Sequence, residues 1–132
     1  MKKKKLEVKS YFRVFSMERP PKYAPKADYQ LSSTDSSETL LEMCTKLTLS
    51  FEDTNTLKVY AEKKDIKFLS SPFDIVSIDF LNKLGLDCFK IPSGEINNLP
   101  YLRKIGRLSK TVFMSTGMAN LEEVRAATDI LK

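Results

Sequence analysis

Phe89-Lys-Ile-Pro-Ser-Gly-Glu95 is the stretch that decides the fold of this 132-residue chain. A short apolar run passes here directly into Pro, Ser and Gly, and related stretches lie at Phe68-Leu-Ser-Ser-Pro-Phe-Asp74 and Phe113-Met-Ser-Thr-Gly-Met-Ala119. Their first residues are 21 and 24 positions apart, and an amphipathic helical pattern follows each one. This spacing is that of a strand, a turn, a helix and a return, so the sequence predicts strands joined by helices.

Strands are predicted at 67–70, 88–91 and 111–114. They are short and apolar without clean alternation, which is typical of a parallel sheet covered by helices. Parallel order brings the residues after each strand to one rim of the sheet. An α/β fold follows, and either a doubly wound sheet or a (β/α)8 TIM barrel fits it. A complete barrel needs roughly 200–250 residues, so the chain would form a partial barrel.

Polar residues at capping positions mark where helices are predicted to begin. Ser50, Asp74 and Asn120 each precede a pattern of helical spacing, and Gly85 is a plausible end for the helix after Asp74. Residues 1–35 are irregular by pattern, apart from a candidate strand within 7–15.

The net charge of +5 is unevenly distributed. Residues 1–26 hold nine Lys/Arg against two Asp/Glu, and residues 27–132 hold thirteen against fifteen. The sequence therefore predicts a basic, poorly ordered N-terminal arm over 1–21 and a nearly neutral body over 22–132. Because no base-reading motif accompanies the arm, we expect no nucleic-acid partner.

The two cysteines, Cys44 and Cys88, lack the spacing of metal ligands, and the chain contains no histidine. A disulfide framework is not expected, so the sequence favours a reducing, cytoplasmic environment. No apolar run approaches the roughly 20 residues of a membrane span, so no membrane partner is expected. We predict no metal site within this chain.

Lys90 and the hydroxyl residues after the strands are the candidate binding groups. A lysine within a buried strand is costly without a partner, and it usually meets an anion or forms a Schiff base. The alternatives are an ion pair between Lys90 and Glu95 and a lysine at a frayed edge of the sheet. Ser71 and Ser115 could each belong to a plain turn, but with Ser93 on the same rim they predict an anion site.

These same residues resemble the N-acetylneuraminate (sialic acid) synthase family, including its legionaminate and pseudaminate relatives. The resemblance runs from about Lys22 to the C-terminus. It is carried by these segments: Tyr23-Ala-Pro-Lys-Ala-Asp-Tyr-Gln30, Phe68-Leu-Ser-Ser-Pro-Phe-Asp74, Phe89-Lys-Ile-Pro-Ser-Gly-Glu-Ile-Asn-Asn-Leu-Pro100 and Ser115-Thr-Gly-Met-Ala119.

The resemblance implies a (β/α)8 barrel that condenses phosphoenolpyruvate with an N-acylated amino sugar, such as N-acetylmannosamine. The product is a nine-carbon α-keto acid sugar, and a divalent metal (Mn or Mg) assists. Lys90 and Ser93 match residues that hold phosphoenolpyruvate, and Ser115 matches a phosphate contact. Ser71 stands where the family commonly has Thr, and Glu95 matches the acidic residue beside the reacting centre.

The chain also departs from the family pattern. Residues 1–21 do not match the strand that carries a phosphate-binding lysine, for which Lys9 is a weak candidate. The metal-binding histidines lie on later strands of the family, so this chain alone would bind no cofactor. Two alternatives therefore stay open: an inactive barrel fragment that folds, self-associates or binds anions only, and a class I aldolase-like protein with Lys90 as its Schiff base.

Overall fold

Short parallel strands alternate with helices in the computed structural model, which describes residues 12–14, 25–26, 28–34 and 37–132. The strands are β1 (Phe12–Val14), β2 (Ser70–Pro72), β3 (Cys88–Ile91) and β4 (Thr111–Met114). The helices are α1 (Asp28–Ser33), α2 (Leu40–Leu47), α3 (Phe51–Lys63), α4 (Ile75–Lys83), α5 (Leu99–Gly106) and α6 (Leu121–Leu131), and a 3₁₀ turn covers Ser93–Glu95. The predicted α/β class is confirmed.

The strands pair in two parallel ladders. β1 lies beside β2 with Phe12 opposite Ser70, and β3 lies beside β4 with Cys88 opposite Thr111. The second ladder continues past the strands, because the amide of Ser115 donates to the carbonyl oxygen of Ile91 at 3.0 Å. Within the described residues, no backbone ladder joins β2 to β3.

The apolar core lies on one face of β3 and β4. Phe89 and Ile91 are fully buried there, under residues of the three helices that follow β2. Alternation along the strand turns Lys90 to the other face, where Phe113 of β4 is 47 % exposed. The core cluster comprises Ile78, Leu81, Leu86, Phe89, Ile91, Ile96, Tyr101, Leu102, Ile105 and Ala127.

The predicted helix starts are confirmed by side-chain caps. The side chains of Ser50, Asp74 and Asn120 each accept a hydrogen bond from the backbone amide three residues on. Gly85 follows α4 with a φ of +81°, a left-handed conformation that glycine adopts without strain.

Two predicted boundaries are wrong. The strand expected at 67–70 is observed at Ser70–Pro72, because its backbone pairs with β1 and its two serines are fully buried. Residues 28–33, expected to be irregular, form α1, since Pro25 precedes the helix and does not interrupt it. The arm over 1–21 and Lys9 lie outside the described residues, except for the strand at 12–14.

Cys44 and Cys88 are both free cysteines. Of the helices in the described ranges, none combines the length and the apolar character needed to cross a bilayer.

Leu102 tests the position of the core. We expect Leu102→Ala to lower the free energy of unfolding by about 2–5 kcal/mol, because its side chain is fully buried among the helices. Leu99→Ala, in the same helix but 44 % exposed, should cost less than about 1 kcal/mol. Urea denaturation of both variants measures the difference, and equal losses would contradict this core.

Candidate functional site

Lys90 connects the ends of β3 and β4. Its ammonium group donates to the carbonyl oxygen of Ile91 at 2.6 Å and to the hydroxyl oxygen of Ser115 at 2.5 Å. Within the described residues these two bonds use two of the three ammonium protons, and they leave one for a ligand. The Ser115 hydroxyl accepts its bond from Lys90 and therefore keeps its own proton for donation to an anion.

Ser93 lies beside the loop that carries Ser115. A Cβ placed on Gly117 of that loop would be 3.6 Å from the hydroxyl oxygen of Ser93. Gly94, the next residue, has open space around it, because no atom outside its neighbours lies within 4 Å of where its Cβ would be. Lys90, Ser93 and Ser115 thus lie at the carboxyl ends of two adjacent parallel strands, as predicted from the sequence.

Burial lowers the pKa of the Lys90 ammonium. Desolvation disfavours the charged form of a lysine, and the described partners of Lys90 are neutral oxygens rather than carboxylates. An anion bound at this position would therefore supply the counter-charge that these neutral partners do not provide. Burial raises the pKa of the Cys88 thiol, two residues earlier in β3.

Glu95 is held by Asn98 rather than by Lys90. The Asn98 side-chain amide donates to a carboxylate oxygen of Glu95 at 2.7 Å. Its carbonyl oxygen accepts from the backbone amide of Tyr101 at 3.3 Å, and this bond caps α5. Since the cap requires the oxygen to face the helix, the amino group must face Glu95. The alternative of an ion pair between Lys90 and Glu95 is not observed.

Ser71 differs from the other two candidate serines. It is fully buried within β2, and its hydroxyl group donates to the backbone carbonyl of Lys90 at 3.0 Å. Pro72, the last residue of β2, accepts a hydrogen bond from Tyr101 near the start of α5, the helix that follows β3, so Ser71 belongs to the same rim. Its proton, however, is directed at the protein and not at the space in front of Ser115.

A cavity of about 390 Å³ opens elsewhere, at the amino ends of the strands. It is lined by apolar and charged residues that include Phe68, Leu86, Cys88, Phe113 and Lys58. None of the five candidate site residues lines it, so the rim site and this cavity are separate. In the part of the chain that the structure describes, no group of three or more His, Cys, Asp or Glu residues could hold a metal ion.

The rim therefore presents one ammonium and two hydroxyl groups, which are donors of the kind that proteins use for small anions, with a carboxylate nearby. Comparison with known proteins identifies the family of the chain. The sequence model that represents the NeuB family matches residues 12–132. The chain belongs to the NeuB family.

Two curated relatives of this NeuB chain are synthases of sugar acids. The N,N'-diacetyllegionaminic acid synthase of Campylobacter jejuni is 53 % identical over 108 residues, which are 82 % of this chain and 32 % of that protein. The human N-acetylneuraminate-9-phosphate synthase is 33 % identical over 86 residues, which are 65 % of this chain and 24 % of that protein. The chain thus spans about a third or less of the length of these relatives.

A solved structure shows the same fold. The sialic acid synthetase of Leptospira borgpetersenii, crystallised in complex with citrate, superposes with a TM-score of 0.72 at 21 % identity. The match covers 92 % of the NeuB chain and 38 % of the synthetase.

Asn98 and Tyr101 are site residues that the sequence analysis missed. Asn98 stands directly before Leu99-Pro100, where Pro in the first turn marks a helix start, so a cap at this position was detectable. The contact of Tyr101 with the end of β2 links residues 29 positions apart, and no local pattern indicates it.

The protonation of Lys90 tests the electrostatics of the rim. In an NMR titration of the lysine ammonium groups, we expect Lys90 to lose its proton at a lower pH than an ordinary exposed lysine, because burial disfavours its charge. Ser115→Ala should lower that pH further, since the ammonium loses an acceptor. Titration of Lys90 together with the exposed lysines would contradict the described burial.

Proposed function

We propose that this chain forms the phosphoenolpyruvate-binding part of a sugar acid synthase. The reaction joins phosphoenolpyruvate to the aldehyde of an N-acylated amino sugar and, with water, releases a nine-carbon α-keto acid sugar and inorganic phosphate. The observation that carries the proposal is the pair formed by the Lys90 ammonium and the Ser115 hydroxyl. It lies at the carboxyl ends of parallel strands in a chain of the NeuB family.

Each rim residue has a stated part in this proposal. The Lys90 ammonium balances the charge of phosphoenolpyruvate, and the hydroxyl groups of Ser93 and Ser115 donate to its phosphate. When the methylene carbon of phosphoenolpyruvate bonds to the aldehyde carbon, negative charge develops on the aldehyde oxygen. Glu95, whose carboxylate accepts a hydrogen bond from Asn98, serves as the general acid–base group at this reacting centre.

A complete (β/α)8 barrel is the architecture that this proposal requires. The helices after β2 all cover one face of β3 and β4, whereas Lys90 and Phe113 lie on the other. A doubly wound sheet carries helices on both faces. Because the described helices after β2 cover only one face, they favour a barrel whose interior holds Lys90. The two free cysteines agree with a reducing, cytoplasmic location.

The divalent metal that the resemblance implies does not fit the described residues, which offer no group of three ligands. No step of this proposal passes through it.

The bonds of Lys90 favour an ionic role over a Schiff base. Its nitrogen donates to the carbonyl oxygen of Ile91 and to the hydroxyl oxygen of Ser115, and the carbonyl, which can only accept, needs a donating nitrogen. A lysine that forms a Schiff base must present an unprotonated nitrogen to a carbonyl carbon. Borohydride reduction in the presence of pyruvate separates the two roles.

Binding of phosphoenolpyruvate to the full 132-residue chain tests the proposal. We expect Lys90→Ala to weaken the affinity by roughly tenfold or more, or about 1.4 kcal/mol, because a charge-assisted contact is lost. Lys104→Ala removes the same charge from α5, where Lys104 pairs with Asp79 at 2.6 Å, and should leave the affinity unchanged. Isothermal titration calorimetry measures the affinity of both variants for phosphoenolpyruvate. Equal losses of affinity would contradict a specific site and indicate nonspecific charge attraction.

We expect no turnover by the 132-residue chain alone. The described residues contain no group of metal ligands. The face of β3 and β4 that carries Lys90 is open to water, since Phe113 on that face is 47 % exposed, and water weakens the stabilisation of charge. The same open face favours self-association. The assay is release of inorganic phosphate from phosphoenolpyruvate with N-acetylmannosamine and manganese. Turnover that Glu95→Gln abolishes would contradict this expectation.

A further inference from the structure

The boundary between β2 and β3 is held by side chains. No backbone ladder joins these two strands in the described ranges. The bond from Ser71 to the Lys90 carbonyl crosses this boundary. A second bond, from the Tyr101 hydroxyl to the Pro72 carbonyl at 2.9 Å, ties the next residue of β2 to the helix that follows β3.

The donor residue of each bond is buried. Ser71 is 0 % exposed and Tyr101 is 1 % exposed, so water does not compete for either hydroxyl group. Removing either donor would leave a backbone carbonyl oxygen without this partner. The folded state would then be less stable, unless the strands moved to supply another donor. The two hydroxyl groups therefore fix how far β3 extends along β2 at the rim.

We propose that Ser71 is a positioning residue for Lys90: its hydroxyl group, together with that of Tyr101, sets the backbone from which the Lys90 ammonium reaches Ser115 and the anion. This inference rests on the proposed binding of phosphoenolpyruvate at the rim. It gives Ser71 a role through Lys90 in place of a direct phosphate contact. The Ser71 hydroxyl has one proton, and the Lys90 carbonyl takes it.

Four variants of the full chain separate the two roles of Ser71. Ser71→Ala removes the bond to Lys90, and Ser71→Thr keeps a hydroxyl at the same position. Tyr101→Phe removes the hydroxyl group of the second bond, and because Tyr101 is 1 % exposed this change removes no phosphate contact. Ser77→Ala is the matched control: Ser77 is equally buried, but its hydroxyl donates to Asp74 within the α4 cap.

Phosphoenolpyruvate titrations give the first readout. We expect Ser71→Ala and Tyr101→Phe each to weaken the affinity by roughly three- to tenfold, since each removes one hydrogen bond of ordinary strength. Ser71→Thr and Ser77→Ala should bind as the native chain does, whatever their stability. Native affinity in Tyr101→Phe beside a large loss in Ser71→Ala would overturn the inference and make Ser71 a direct ligand.

NMR of the ligand-free chain gives the second readout. The carbonyl carbon of Lys90 should move upfield in Ser71→Ala, stay in place in Ser77→Ala, and keep its native shift in Ser71→Thr. An unchanged Lys90 carbonyl in Ser71→Ala would overturn the inference. If the native chain fails to bind phosphoenolpyruvate, the proposed function fails, and the Lys90 carbonyl still decides whether Ser71 positions Lys90.

Discussion

Alternation along β3 is the constraint on which the rim depends. Phe89 and Ile91 must lie on the same face, and both are fully buried beneath α4, α5 and α6. Lys90, between them, must then point to the opposite face. A shift of this strand by one residue would bury the lysine in the apolar core and expose two large side chains. A register shifted by one residue is therefore strongly disfavoured.

The packing of α5 positions the other residues of the rim. The helix buries Tyr101, Leu102 and Ile105 against the same core that fixes β3. Its cap, Asn98, then holds the carboxylate of Glu95, and its Tyr101 hydroxyl reaches the end of β2. One helix thus connects the turn after β3 with the end of β2 through two hydrogen bonds, and its packing on the apolar core supports both.

The sequence predicts the local features well and the distant ones poorly. Caps at Ser50, Asp74 and Asn120 and the strands at 88–91 and 111–114 are readable, because each depends on residues within one turn or one strand. The rim at Lys90 is readable for the same reason. The bounds of β2 are not, because two serines have no apolar pattern and become a strand only by pairing with a segment 58 positions earlier.

That long separation has a consequence for the order in which the chain assembles. The register pairs Phe12 with Ser70 in one ladder and Cys88 with Thr111 in the other, so the first closes a loop of 58 residues and the second a loop of 23. Loop-closure entropy makes the first closure costlier by about 0.8 kcal/mol. The unit of β3, α5 and β4 is therefore favoured to form early during folding, and β1 to dock onto a surface that this unit and α4 have already organised.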